Sequence, residues 1–511
     1  MNAFNVFQFD IAFPFSMWSA IGLLIAIAAI TSAEYDDPHY EEGRTTMVHL
    51  FEWKYSDIAK ECERFLGPMG YAGVQISPVT ENLVMEGRPW FERYQPISYS
   101  MITRSGNLEE LKDMVARCNK VGVRIYPDMV INHMTGSQKP AFGTGGTPAD
   151  TDNLDYPGVP YNKADFHTPC AIRNYQNESE VRNCELSGLH DLDQSKKHVR
   201  DAILSLMNTL LDAGVAGFRI DAAKHMWPED LKAIYAGLKD VQIKPGGRPY
   251  IFQEVIDLGG EPVTKQQYAF APVIDFTYGI VLGIMFRAKD GERNLTELKT
   301  WGDPDIWNLL ESNMALVMVD NHDNQRGHGG GGSFILTHKD PKEYKMAVAF
   351  MLAHPYGRTR VMSSFAFNDP SIGPPMDKNE EIISPEITAD GQCGKGWVCE
   401  HRWPQIYHMV QFRNLANKEP LENLWASDDN QLAFSRGSKG FVAFNPSSKN
   451  LSRNLQTGLP AGTYCDVISG ALVNGRCTGK SVQVQKNGTA LIEIPSDAPE
   501  GVLAIHVKAR L

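Results

Sequence analysis

Gly217-Phe218-Arg219-Ile220-Asp221-Ala222-Ala223-Lys224-His225-Met226-Trp227-Pro228 reads as the end of a buried strand, then a loop, then a helix. Val215 to Ile220 supply the short apolar run. Pro228 suits the first helical turn, and Glu229-Asp230 put acidic charge where a helix N-terminus favours it. Arg219 and Asp221 are two apart, so on a strand both point to one side. An arginine and a carboxylate together at a strand's C-terminal end suggest a held, ionised Asp. Taken alone, the pair also fits a structural ion pair.

Working outward, the same rhythm repeats in both directions. Strand-like runs occur at 45–51, 70–76, 122–130, 215–221, 251–255, 273–276, 315–320 and 360–365. Helical segments separate them, such as Ser56 to Phe65, Leu108 to Val121 and His198 to Ala213. Pro127 sits inside the third run, where it cannot donate to a ladder; either a bulge or a shorter strand is expected. Strands alternating with helices predict an α/β (β/α)8 TIM barrel. From Met134 to about Asp193 the rhythm breaks into a Gly-, Pro-, Asn- and Asp-rich stretch, an irregular domain inserted after strand 3. After about Leu421 short strands and turns follow without helices, as a C-terminal all-β sandwich. The expected organisation is barrel 34–132, inserted domain 133–195, barrel 196–420 and sandwich 421–511.

The 511 residues are 42% hydrophobic and 22% charged, an ordinary globular composition, with a formal net charge of −12. That charge argues against nucleic acid as a partner. Trp18 to Ile30 form an apolar core before the small residues Thr31-Ser32-Ala33, so residues 1–33 are expected to be a signal peptide. No Lys or Arg occurs before Arg44, which leaves an uncleaved anchor open. No other stretch reaches the roughly 18 apolar residues of a membrane span. A secreted, extracellular chain, free of membrane once the signal is removed, is the expectation.

Eight cysteines fit disulfides in such a chain. The short separations Cys170–Cys184, Cys393–Cys399 and Cys465–Cys477 suggest local bridges, leaving Cys62 with Cys118. No CxxC pair points to zinc.

A barrel carries its catalytic groups at the C-terminal ends of its strands. Those ends bring Asn132-His133, Asp221, Glu254 and His322-Asp323 to one face. Any one of them could be a core or capping residue. Three converging acids repel one another, so their gathering asks for a function. Two carboxyls flanking one bond are what glycoside cleavage uses.

These residues carry a resemblance. Asp128-Met129-Val130-Ile131-Asn132-His133, Gly217 to His225, Gln253-Glu254-Val255-Ile256-Asp257 and Val319-Asp320-Asn321-His322-Asp323 resemble, in order, the four signature regions of the α-amylase family. The likeness is to the animal-type, chloride-dependent members, insect ones above all, and spans essentially residues 35–511. It implies Asp221 as nucleophile, Glu254 as general acid and base, and Asp323 as the group favouring a distorted sugar. It implies Trp90, Tyr94, His133, Lys224, His225, Glu261, His322 and His328 as substrate-binding residues. A second Trp after Trp90 is replaced by Phe91, which bears on subsite preference. Asn132, Asp191 and the carbonyls of Arg182 and His225 match the family's calcium site. Arg219, Asn321 and Arg360 match its chloride site. Two arginines beside Glu254 would favour its ionised form, whereas a general acid must carry a proton; a held anion offsets that field. The run Gly329–Gly332 lacks the Gly-Lys-Ser/Thr of a phosphate loop and reads as a flap over the cleft or a linker.

The implied function is a secreted endo-acting hydrolase of α-1,4-glucosidic bonds, with starch, glycogen and malto-oligosaccharides as partners, acting as a monomer. An α-glucosidase or transglycosylase on the same barrel, or a silent carbohydrate-binding relative, are the alternatives. A silent relative is expected to lose an acid, and all three are present.

Overall fold

The computed structural model describes residues 35–287 and 293–511. The signal segment expected over 1–33 lies outside them. Eight parallel strands close a barrel: β1 Thr46–Leu50, β2 Gly73–Ile76, β3 Arg124–Met129, β4 Gly217–Ile220, β5 Tyr250–Gln253, β6 Val273–Asp275, β7 Ala315–Val317 and β8 Arg358–Ser363. Each strand pairs with its neighbours in sequence, and β1 closes on β8. All eight strand runs read from the sequence therefore form, most of them shorter than drawn.

Pro127 does lie inside β3, opposite Ile76 of β2. The ladder absorbs it on the other side. Ala216 N donates to Ile125 O, but Asp221 N donates to Met129 O. Four steps along β3 are thus matched by five along β4, and the extra residue falls opposite the missing N–H.

The helices form for local reasons. In α2, Leu108–Lys120, Asn107 accepts from the Glu109 and Glu110 backbone while the Glu110 side chain caps Asn107 in return. Its Leu111, Met114, Val115 and Cys118 are buried. The helix α1, Tyr55–Glu61, continues as a wider π turn over Cys62–Leu66, where the Cys62–Cys118 disulfide ties it to α2. Further helices are α3 Lys197–Asp212, α4 Pro228–Ala236 with Pro228 in its first turn, α5 Phe276–Arg287, α6 Pro341–Ala353 and α7 Pro404–Leu415. The four disulfides are the expected pairs.

Between β3 and α3 the chain is irregular, with short two-residue pairings and 3-10 turns. Glu81, after β2, anchors this segment. It is fully buried and accepts from Gly145 N at 2.7 Å, Thr147 N at 3.0 Å and Thr147 Oγ1 at 2.7 Å.

The C-terminal region holds a four-stranded antiparallel sheet, β9 Leu421–Ser427, β10 Gln431–Arg436, β11 Gly440–Phe444 and the late strand Val502–His506. Strands β10, β11 and Val502–His506 are buried on both faces, so they do not alternate apolar and polar. One face, with Phe441, Ala443 and Ile505, packs on the outer strands around Leu451, Val484 and Ile492. The other, with Phe434 and Phe444, packs on Phe350 of α6 and Phe286 of α5. Each buried aromatic there contributes about 1.5–3 kcal/mol of transfer energy, which fixes the sandwich against the barrel.

Candidate active site

The quoted strand ends where expected, and its turn is strained. Ala222 adopts φ 47°, a left-handed conformation that costs a residue with a Cβ about 1–2 kcal/mol. The bend aims Asp221 into the cleft while Ala222 N donates to Glu254 Oε2 at 2.8 Å. That hydrogen bond, made at the cost of the strain, ties the ends of β4 and β5 together.

One guanidinium organises this half of the site. Arg219, 1% exposed, donates through Nη1 to Asp128 at 2.6 and 2.8 Å and to Asp221 Oδ1 at 2.8 Å. Its Nη2 lies 2.9 Å from Glu254 Oε1 as an ion pair but makes no hydrogen bond of good geometry. Carboxylates from β3, β4 and β5 thereby share one cation. Tyr94 Oη also donates to Asp128, at 3.0 Å. Burial raises the Asp221 pKa well above the usual range; Arg219 opposes this, while Glu254 and Asp128 add to it. Burial pulls Arg219 down, but its three acidic neighbours hold it well above its ordinary value.

The other half follows β7. His322 Nε2 stands 3.1 Å from Asp323 Oδ2. The Asn321 side chain accepts from Asp323 N at 3.1 Å and Asn324 N at 2.8 Å, so it fixes the turn. Burial pushes Asp323 up to about 7, helped by the charge of Glu254. Burial and Arg219 hold His322 well below its ordinary value, and burial brings His133 down to about 4. The His322 ring stacks on Tyr94, centroids 5.0 Å apart and 9° from parallel. His133 Nε2 lies 3.0 Å from the Tyr94 carbonyl.

These groups meet in a cleft of about 750 Å³. Asp221, Glu254 and Asp323 line it, with Trp90, Tyr94, His133, Lys224, His225, Glu261 and His328. His322 is not among the lining groups and sits buried behind Asp323. Lys224 Nζ donates to Ile256 O at 2.6 Å and pairs with Glu261. The glycine run reaches the cleft through Gly329 and Gly330, and a Cβ on Gly330 would press Leu258 at 2.8 Å.

Six lining residues were not read from the sequence: Gln95, Tyr175, Leu186, Ser187, Leu189 and Leu258. Tyr175 lies 5.3 Å from Lys224 Nζ. They stand on irregular segments, where no periodicity marks an inward face. Asp128 was quoted in a motif without a role. Its signal was parity, since on β3 it shares a face with Tyr126.

The remaining expected residues form two groups beside the cleft. Arg360, in β8, donates to Gln75 Oε1 at 2.6 Å. Burial first, and the repulsion of Arg219 second, bring it down to about 10. Two buried cations therefore face one another, and Arg219 Nη2 is short of a hydrogen bond: an anion suits the site. Asn132 and Asp191 are both buried, and each keeps an Oδ1 without a hydrogen bond. His225 Nδ1 lies 2.8 Å from the Val181 carbonyl, next to Arg182. Oxygen donors of this kind suit a hard cation. Among the described residues no three His, Cys, Asp or Glu side chains form a metal cluster.

Comparison with known proteins gives the following. The family model described as "Alpha amylase, catalytic domain" matches residues 63–248, and "Alpha amylase, C-terminal all-beta domain" matches 425–508. An alpha-amylase of Tenebrio molitor is 57% identical over 480 residues, 93% of this chain and 100% of the relative. One of Tribolium castaneum is 56% identical over 481 residues, 93% of this chain and 96% of that one. The crystal structure of alpha-amylase I from Eisenia fetida superposes with a TM-score of 0.88 at 41% identity, covering 93% of this chain and 99% of that one. A Glu-to-Gln mutant of the same protein, in complex with maltohexaose, matches equally well.

Proposed function

The chain belongs to the α-amylase family, and on that premise we propose that it is an endo-acting α-amylase whose reaction is carried by Asp221, Glu254 and Asp323. The family makes it a glycoside hydrolase, and its relatives are named alpha-amylases. The observation that carries the residue assignment is the shared guanidinium. Arg219 touches Asp221 and Glu254 at once, so two carboxyls are held as neighbours across the cleft. A retaining glycosidase needs that closeness, about 5–5.5 Å between carboxyls.

In the proposed reaction an Asp221 oxygen attacks the anomeric carbon. The glycosidic C–O bond breaks as Glu254 gives its proton to the leaving oxygen. Glu254, now a carboxylate, takes a proton from water, and the resulting hydroxide oxygen attacks the anomeric carbon and releases Asp221. Asp323 accepts from the sugar's hydroxyls and favours the flattened, cationic ring. His133 adds a hydrogen bond to the same sugar, and His322, 3.1 Å from Asp323, supports that carboxylate from behind. Trp90 and Tyr94 offer ring faces to glucose units, and Lys224, His225, Glu261 and His328 line the path of the chain.

Calcium fits Asn132, Asp191 and the carbonyls of Arg182 and His225, and would tie the inserted segment to the barrel. Chloride fits Arg219, Asn321 and Arg360, and would offset the positive field beside Glu254. Starch and glycogen are the proposed polymers, and the maltohexaose bound to the Eisenia fetida mutant supports malto-oligosaccharide binding here. Secretion, a monomeric state and the expected domain limits complete the reading; no helix among the described residues is long and apolar enough to cross a membrane.

The test is product sizing from soluble starch across a chloride titration, for the wild type and Arg360→Gln. Endo action yields maltose with longer oligosaccharides, and Arg360→Gln flattens the chloride response. Glucose as sole product would replace the endo reading with a glucosidase. An unchanged chloride curve would remove Arg360 from the anion site.

A further inference from the structure

Three residues beyond Asp323 stands a cation to which the mechanism above gives no task. Arg326 is 5% exposed, and among the described residues none of its hydrogen bonds goes to a carboxylate. Its Nε and Nη2 make no hydrogen bond. Aromatic rings take the closest positions, while the charges of Asp323, Glu52, Glu400 and Asp320 act on it from beyond ion-pair distance. The guanidinium carbon lies 4.3 Å from the Phe367 centroid, 4.8 Å from Phe365, 5.1 Å from Phe51 and 5.7 Å from Trp90. Such contacts stabilise a desolvated cation and hold it in place without satisfying its donors. Its one directional bond runs from Nη1 to the His322 carbonyl, at 2.8 Å.

Burying a cation with no acid in contact is costly, and an apolar chain of similar volume would fill the same space at no such cost. The placement of Arg326 explains what the cation does there. The caging rings come from the end of β1, the loop after β2 and the segment after β8, so the guanidinium joins three cleft-forming segments to the turn after β7. Phe51 and Trp90 each meet both Arg326 and His322: Phe51 stacks on His322 at 5.0 Å and Trp90 meets it edge-on at 5.5 Å. The His322 ring is held by packing and its carbonyl by Arg326.

We infer that Arg326 is a positioning residue that holds the His322–Asp323 turn against the Trp90 platform, and that it acts on catalysis through Asp323. Burial brings its pKa down only to about 10, so it is charged at neutral pH. Its charge also favours the ionised form of Asp323, alongside Arg219 and against Glu254 and Asp128. The inference rests on the role given to Asp323 above, and the test separates the two.

The test is a double-mutant cycle, measuring kcat and KM on maltoheptaose for Arg326→Met, Asp323→Asn and the double variant. Arg326→Met is expected to lower kcat about 10- to 100-fold, as a displacement near 1 Å does, with a smaller change in KM. In the Asp323→Asn background the same substitution should cost less than about threefold, because the group it positions is already gone. Equal losses in both backgrounds would overturn the inference and leave Arg326 a structural residue. Asp323→Asn with wild-type kcat would instead overturn the role of Asp323. Arg326→Lys keeps the charge and one donor; it should lose about three- to tenfold, again only where Asp323 is present, and it decides the matter if the Met variant does not fold.

Discussion

At the floor of the barrel the inward positions are Met47, Tyr126, Tyr250, Phe252, Ile274 and Leu316, one packed cluster. Further along the same or neighbouring strands they are His49, Gln75, Asp128, Arg219, Glu254 and Arg360, all buried. Both layers are close-packed, but they serve opposite ends. In the floor, burial itself is the gain. Gly73 and Gly217 are small there so that large neighbours fit: a Cβ on Gly73 would meet the Tyr126 ring at 2.6 Å, and one on Gly217 the Tyr250 carbonyl at 2.0 Å. In the upper layer burial is a cost, offset by ion pairs, and the left-handed turn at Ala222 adds to it. Desolvation there perturbs Asp128, Asp221, Asp323 and Arg360. Separating the layers lets the fold be stabilised at one end while charge is held ready at the other.

That separation can be broken or sharpened by substitution at either end. The largest effect is expected above. Glu254→Gln keeps the shape and the contact to Ala222 but removes the transferable proton, so kcat on malto-oligosaccharides should fall about a thousandfold, roughly 4 kcal/mol, without loss of the folded state. Full activity in this variant would remove Glu254 from its role. Below, Gly73→Ala should act the other way. Overpacking against Tyr126 should destabilise the protein by about 1–3 kcal/mol, seen as a lower Tm, while kcat changes less than about threefold. If kcat falls in step with stability, the two layers are mechanically one.

The smallest effect near neutral pH is at the floor side, where His354 lies between α6 and β8. Burial lowers its pKa to about 3, with Arg436 and Arg413 adding to the shift. It is neutral in the folded chain, while the unfolded chain protonates it below its ordinary value of 6.5. Its contribution is therefore present above about pH 6.5 and is lost as pH falls towards 3, at up to about 1.4 kcal/mol per pH unit. His354→Asn can keep the acceptor for Tyr356 N and should flatten the acid side of a Tm-against-pH curve. A slope identical to the wild type would show that His354 titrates normally in the fold.

Much of this was legible beforehand because it is local. The eight strands follow from apolar runs and their punctuation, the pairing of Cys62 with Cys118 from the short spacing of the other six, and the helix at Pro228 from its first turn. Asp221, Glu254 and Asp323 could be named because a barrel puts strand ends together whatever its sequence. Pro127 could be flagged but not resolved, since the residue that compensates for it lies in β4, outside its own strand.

The chain by itself determined which residues alternate, which turns can form and which acids stand at strand ends; these depend on neighbours in sequence and on the parity of strand and helix. Only the tertiary structure decided that Arg219 serves three carboxylates, that Tyr175 and Leu258 reach the cleft from irregular segments, and that Arg326 is caged by rings from three other segments. Those arrangements depend on distance and desolvation between parts of the chain far apart in sequence, and no local pattern records them.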